Sequence, residues 1–196
     1  MVELKSFLNA RSMFDPFHTN MSALVEDFAR AQYGTAAAHV LDYLELMERS
    51  FQQYNRSLDF RGIPNPGIAL GYHHITPTNA AYANATLLSG GAILKAAQSA
   101  AGLEPYRRRV DNVLMALQYI VLIRWDQLRD YCATTAPTPC DWPYEGQIAN
   151  EFRLFEIAYN NSGVRTFTQL NVDYRKEECD LDSFRRQILG PKSRGT

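Results

Sequence analysis

The sequence predicts an all-α fold: a single bundle of about six to seven helices, interrupted by one long irregular loop. Three observations predict it. Apolar residues recur at spacings of three and four along most of the chain. Helix start and stop residues fall between those runs, among them Asn20, Gly34, Pro105 and Gly163. Only residues 164–170 read as extended, and one strand without a partner does not make a sheet.

Leu4, Phe7 and Leu8 mark a first helix ending near Ser12. Asp15-Pro16 interrupts it, because a residue before proline avoids helical geometry. Asn20 is a natural N-cap for a second helix with Leu24, Val25, Phe28 and Ala31 on its apolar face. Tyr33-Gly34 stops it through a left-handed glycine, and Thr35 is placed to cap the third helix at once. Val40, Leu44, Met47, Phe51 and Tyr54 then form a buried seam.

Residues 59–77 break the pattern. They hold three Gly and three Pro and read as the long irregular loop. Thr76-Pro77 gives an N-cap with proline at the first helical position. The Ala-rich helix that follows contains Gly90-Gly91, which predicts a kink or a close helix crossing, and Gly102 ends it. Pro105 opens the longest helix, running to about Tyr131, with Val110, Val113, Leu114, Leu117, Val121 and Leu128 as its stripe. A loop with three prolines covers 133–144. Ile148, Phe152, Phe155 and Tyr159 mark the next helix, stopped at Gly163, and a last helix spans about Leu181 to Leu189. Residues 1–190 thus form one helical domain, and 191–196 form a tail expected to be disordered.

At 196 residues, folding buries roughly 70% of the unfolded chain's surface, so no metal or disulfide is needed for stability. The formal net charge is −1, which argues against nucleic acid as a partner. Arg107-Arg108-Arg109 is the one basic triplet and reads as a solvated helix turn. No apolar run approaches the ~18 residues of a membrane span. Met1 leads straight into helical pattern rather than a signal peptide, which would keep the chain in the cytoplasm. Against that, sequons begin at Asn20, Asn55, Asn84 and Asn160, as in an extracellular parent. The compartment therefore stays open between the two. Cys132 and Cys140 flank a short Pro-containing loop and could pair in an oxidising compartment; the alternative is that all three cysteines are reduced thiols.

Chemistry is sparse. His73-His74 would point to opposite faces in extended backbone, which suits a metal chelate poorly, and His18 and His39 lack ligand partners at familiar spacing. No metal and no cofactor is expected. Glycoside hydrolysis needs two carboxylates across a cleft, and nothing in the sequence marks Glu45, Glu48, Glu145, Glu151 or Glu156 as buried. Phe60, Tyr72 and Trp142 lie in loops, where rings either stack on sugars or seal the ends of a bundle. If any segment is a binding surface, it is the long loop, with Phe60, Arg61, Tyr72, His73 and His74 as candidates. The bland reading is that its Ile63, Ile68 and Leu70 cap the helices.

Several short motifs recur in a fixed order: Phe14-Asp15-Pro16, Gln32-Tyr33-Gly34, Ala36-Ala37 and Tyr43. Ile75-Thr76-Pro77, Arg109-Val110, Leu117-Gln118-Tyr119, the segment from Glu151 to Phe155, and Gly163-Val164 follow. In order and spacing these resemble the helical domain of unknown function that follows the catalytic barrel in proteins related to α-glucuronidases. The resemblance covers about residues 4–170. It departs at Phe14, where the family has Trp, and at Gln32, where it has Tyr.

The resemblance implies a non-catalytic accessory domain of a glycoside-hydrolase-like protein, packing on or supporting a catalytic barrel that would lie before Leu4. The implied partners are that barrel or a glycan, and no catalytic residue carries over. The alternative expectation is a stand-alone helical protein-interaction module with no carbohydrate role. An enzyme in its own right finds no supporting constellation.

Overall fold

The computed structural model describes residues 2–15, 17–18, 20–57, 83–134, 140–163, 167–170 and 176–190. It is an all-α bundle. The helices are α1 (Val2–Phe14), α2 (Met21–Tyr33), α3 (Ala37–Ser57), α4 (Asn84–Ala100), α5 (Tyr106–Ile123), α6 (Trp125–Thr134), α7 (Ile148–Ser162) and α8 (Leu181–Leu189).

Helix α1 packs Leu4 and Phe7 onto α2, with the Phe7 and Phe28 ring centroids 5.5 Å apart. Asn20 caps α2 as its sequence suggests, its Oδ1 accepting the Ala23 N–H at 3.1 Å. The buried face of α2 differs from the expected one: Phe28, Ala29 and Tyr33 are buried, whereas Ala31 is exposed. That rotation buries the Tyr33 ring, which outweighs a single methyl at position 31.

Gly34 stops α2 at φ +54° and ψ −124°. Thr35 does not cap α3. One 3-10 turn, Gly34–Ala36, joins the helices. The Thr35 hydroxyl instead donates to the carbonyl of Ala100 at 2.5 Å, tying the junction to the end of α4. The seam of α3 is centred on Val40 and Tyr43, with Leu44 and Met47 half-buried beside them.

The expected close crossing occurs at Gly90-Gly91. A Cβ on Gly90 would stand 3.2 Å from the Tyr43 ring, and one on Gly91 would overlap Tyr144. Helix α5 is the central element. Leu114, Leu117 and Val121 face α3 and α4, while Met115 and Leu122 face Phe152, Phe155 and Phe184 of α7 and α8.

The helix expected to run on to Tyr131 breaks at Arg124, which leaves α-helical geometry at φ −105° and ψ 19°. Its N–H is shared between the carbonyls of Ile120 and Val121, and its guanidinium reaches Asn84 Oδ1 at 2.5 Å and Gln127 Oε1 at 3.0 Å. Those side-chain bonds hold the buried cation at the corner, and no sequence periodicity carries that information.

The single-strand reading of residues 164–170 is also corrected. Phe167–Leu170 pairs antiparallel with Lys176–Cys179, Phe167 opposite Cys179. The partner strand reads Lys-Glu-Glu-Cys, which has no apolar alternation to reveal it. Asp180 then caps α8 through the Ser183 N–H at 2.7 Å. Thr76-Pro77 and residues 191–196 lie outside the described residues.

Candidate functional site

Six of the motif residues converge on one place. Tyr33, Gly34, Ala36 and Ala37 form the α2–α3 junction, Tyr43 sits almost two turns further along α3, and Arg109 reaches in from α5. Arg109 Nη1 donates to the carbonyl of Gln32 at 3.0 Å, occupying an orphan acceptor at the end of α2. The Tyr106 ring lies so close to Gly34 that a Cβ there would be 2.9 Å from its Cδ2. Tyr33, Tyr43, Met47, Arg109 and Asn112 line a cleft of about 540 Å³ beside this junction. Tyr33 and Tyr43 are buried, so the cleft offers ring edges and little reactive chemistry.

Phe14 and Asp15 do not join them. They lie at the far end of α2, about 20 Å away along a 13-residue helix. Asp15 Oδ1 is 2.9 Å from His18 Nδ1 and also accepts the His18 N–H. Phe14 is 90% exposed and Phe17 91%, next to an equally bare Met13. Pro16 lies outside the described residues, as do Phe60, Arg61, Tyr72, His73 and His74.

A second cleft, about 700 Å³, opens between α4, α5 and α7. The basic triplet is split here. Arg109 turns toward the first cleft, while Arg107 and Arg108 stand on the rim of the second with Lys95. Beneath them lies a buried polar pair. Glu151 is 0% exposed and Gln118 2%, and Gln118 Nε2 donates to Glu151 Oε1 at 2.5 Å. Glu151 Oε2 accepts the Glu145 N–H at 2.9 Å. Nothing in the sequence marked a carboxylate as buried; the one available signal was Gln118, a polar residue set in the apolar run of α5.

Other carboxylates are engaged at the surface: Glu45 with Arg49, Glu48 with Gln52, and Glu156 with Arg185. Tyr144 donates to the Leu87 carbonyl at 2.5 Å. Burial, and then the Glu151 and Tyr43 charges, push its hydroxyl well above the ordinary tyrosine range. Burial holds the Arg124 guanidinium below its ordinary value.

Trp142 packs, partly buried, against the core. Its ring meets Trp125 and Tyr144 edge-on at 5.1 and 5.6 Å, its Nε1 donates to the Glu145 carbonyl, and Arg129 lies 5.0 Å from its centroid. Cys132 and Cys140 form a disulfide, their Cα atoms 5.1 Å apart. Among the sequons, Asn20 is an exposed cap, Asn84 is half-buried against Arg124, and Asn160 is exposed on α7.

Among the described residues no group of three or more His, Cys, Asp or Glu could hold a metal ion. Nor is any described helix long and apolar enough to cross a membrane. No protein-family model, curated protein or solved structure matches the chain.

Proposed function

We propose that this chain is a non-catalytic helical accessory domain of a glycoside-hydrolase-like, α-glucuronidase-related protein, packing on a catalytic barrel that these 196 residues do not contain. One observation carries the reading. Six of the residues that bear the resemblance gather at or near a helix junction and are spent on structure, among them Arg109 on a carbonyl, Gly34 on a tight stop, and Tyr33 and Tyr43 on the core. A domain built around such a knot serves as a rigid support. The turn that opens the resemblance supplies the docking face, since Met13, Phe14 and Phe17 present exposed apolar side chains close together in sequence.

The test has two arms. Purified chain is assayed on aryl-glucuronides and related aryl-glycosides, and no turnover is expected. Turnover that survives repurification and disappears on mutating a carboxylate of this chain overturns the non-catalytic reading. The chain is also titrated with a separately expressed α-glucuronidase-like barrel. Binding that is weakened by Phe14→Ser with Phe17→Ser supports the accessory role.

The same exposed patch favours one other reading, a stand-alone helical protein-interaction module with no carbohydrate role. Failure to bind any such barrel, with the patch intact and the chain folded, selects it.

A further inference from the structure

We propose that the cleft beside the α2–α3 junction binds a medium-chain aliphatic carboxylate. Its volume of about 540 Å³ is within the usual range for small-molecule sites. Arg109 is the one charged group among the described lining residues, and no carboxylate stands with it. Asp111 lines the other cleft, where Gln98 Nε2 engages it at 2.7 Å. Glu26, Asp27, Asp42, Glu45 and Glu48 of α2 and α3 are exposed and outside the lining. The buried Glu151 carboxylate, held by Gln118 and the Glu145 N–H, is outside it too. The lining therefore carries a single positive charge, which a monoanion matches.

Two neighbouring side chains set the position of the carboxylate. Arg109 is half-buried and spends Nη1 on the Gln32 carbonyl at 3.0 Å; its other N–H groups have no hydrogen-bond partner among the described residues. The Asn112 side chain has no hydrogen bond to a described residue. The two stand three residues apart on α5, which puts their Cβ atoms about 5–6 Å from each other, close enough to share one carboxylate. A partly desolvated guanidinium strengthens such a charge-assisted pair. Beyond them the lining turns apolar. Val113 and Ala116 continue the same face of α5, and Leu44 and Met47 line the cleft from α3. Leu44, Met47 and Val113 are only half-buried, so they keep surface for an apolar tail to cover. From Arg109 to Ala116 the helix rises about 10 Å, a length that takes a hydrocarbon chain and exceeds one aromatic ring. The same wall gives the hydroxyls of a sugar few partners.

This site does not depend on the accessory-domain reading, and it is tested without any barrel or turnover. The full chain is titrated by calorimetry with octanoate. Octanol, octylamine, acetate and phenylacetate serve as the neutral-head, cationic-head, bare-carboxylate and compact-ring comparisons. Saturable binding of octanoate is expected, at least about tenfold tighter than any comparison compound. Arg109 is left unaltered, because it also holds the Gln32 carbonyl. Asn112→Asp sets a negative charge where the carboxylate would lie, and Ala116→Phe fills the space of the tail. Neither residue is fully buried. Each change should weaken octanoate binding at least about tenfold while leaving the helical circular dichroism unchanged. If one variant does not fold, the other carries the test. Three results overturn the proposal: no saturable binding of octanoate, a comparison compound that binds within about tenfold of it, or a folded variant that binds as the unaltered chain does.

Discussion

The ring of Tyr144 lies directly on the backbone of Gly91: a Cβ at position 91 would stand 2.5 Å from both Cζ and Oη of that ring. The contact fastens the segment after the disulfide to the middle of α4, and the Tyr144 hydroxyl locks it through the Leu87 carbonyl. Two effects compete at Gly91. Alanine would raise helix propensity by about 1 kcal/mol. Overpacking a close contact costs about 1–3 kcal/mol. We expect the clash to win, so Gly91→Ala should lower stability in chemical denaturation. Adding Tyr144→Ala should make the pair of changes less costly than their sum. A Gly91→Ala chain more stable than the unaltered one by about 1 kcal/mol, the bare propensity gain, would refute the contact.

Gly34→Val should destabilise by more than ~1 kcal/mol, because it combines backbone strain at φ +54° with a Cβ 2.9 Å from Tyr106. At Gly146 a Cβ would meet nothing within 4 Å, and its φ is not positive, so Gly146→Ala is the matched control. Thermal melts of the two variants separate the effects, and an unchanged midpoint for Gly34→Val contradicts a tight junction at Tyr33-Gly34.

Glu151→Ala should be among the most damaging single changes. It orphans the buried Gln118 Nε2 donor and releases the part-buried Glu145 N–H. At roughly 1–3 kcal/mol for an unsatisfied buried group, a loss of at least ~1 kcal/mol is expected in urea denaturation. A loss no larger than that of an exposed substitution such as Glu45→Ala would mean that the network is not closed.

Acid should loosen the last helix first. The Ser183 backbone N–H, chiefly, holds the Asp180 carboxyl below its ordinary value. A depressed carboxylate pKa contributes stability above the unfolded-state value and loses it as pH falls through the folded-state value, hence from about pH 4 downward. Amide exchange in α8 should rise over that window. Asp180→Asn should remove that pH dependence, and exchange in α8 that is flat with pH in the unaltered chain would count against it.

Reducing the Cys132–Cys140 disulfide should lower stability by about 2–3 kcal/mol, the chain-entropy value for so short a loop. Cys132→Ser, Cys140→Ser and the double change should all cost the same. Full additivity of the two single changes would show that the sulfurs are not paired.

By itself the sequence determined the local elements. Capping chemistry at Asn20, the glycine stops at Gly34 and Gly163, and the apolar stripes of α5 and α7 are read from a few neighbouring residues, because helix ends and faces are set by hydrogen bonds and periodicity within one or two turns. It left a kink or a close crossing open at Gly90-Gly91, and the close approach of Tyr43 and Tyr144 is the one found. What only the tertiary structure decided depends on partners distant along the chain. Arg124 breaks the long helix while bonded to Asn84, forty residues away. Thr35 turns from capping to bond Ala100. Glu151 is buried because Gln118, on another helix, meets it. The division of the arginine triplet between two clefts follows from how α5 is rotated in the bundle. Each outcome is fixed by desolvation and pairing between elements, and those terms have no value until the elements have packed.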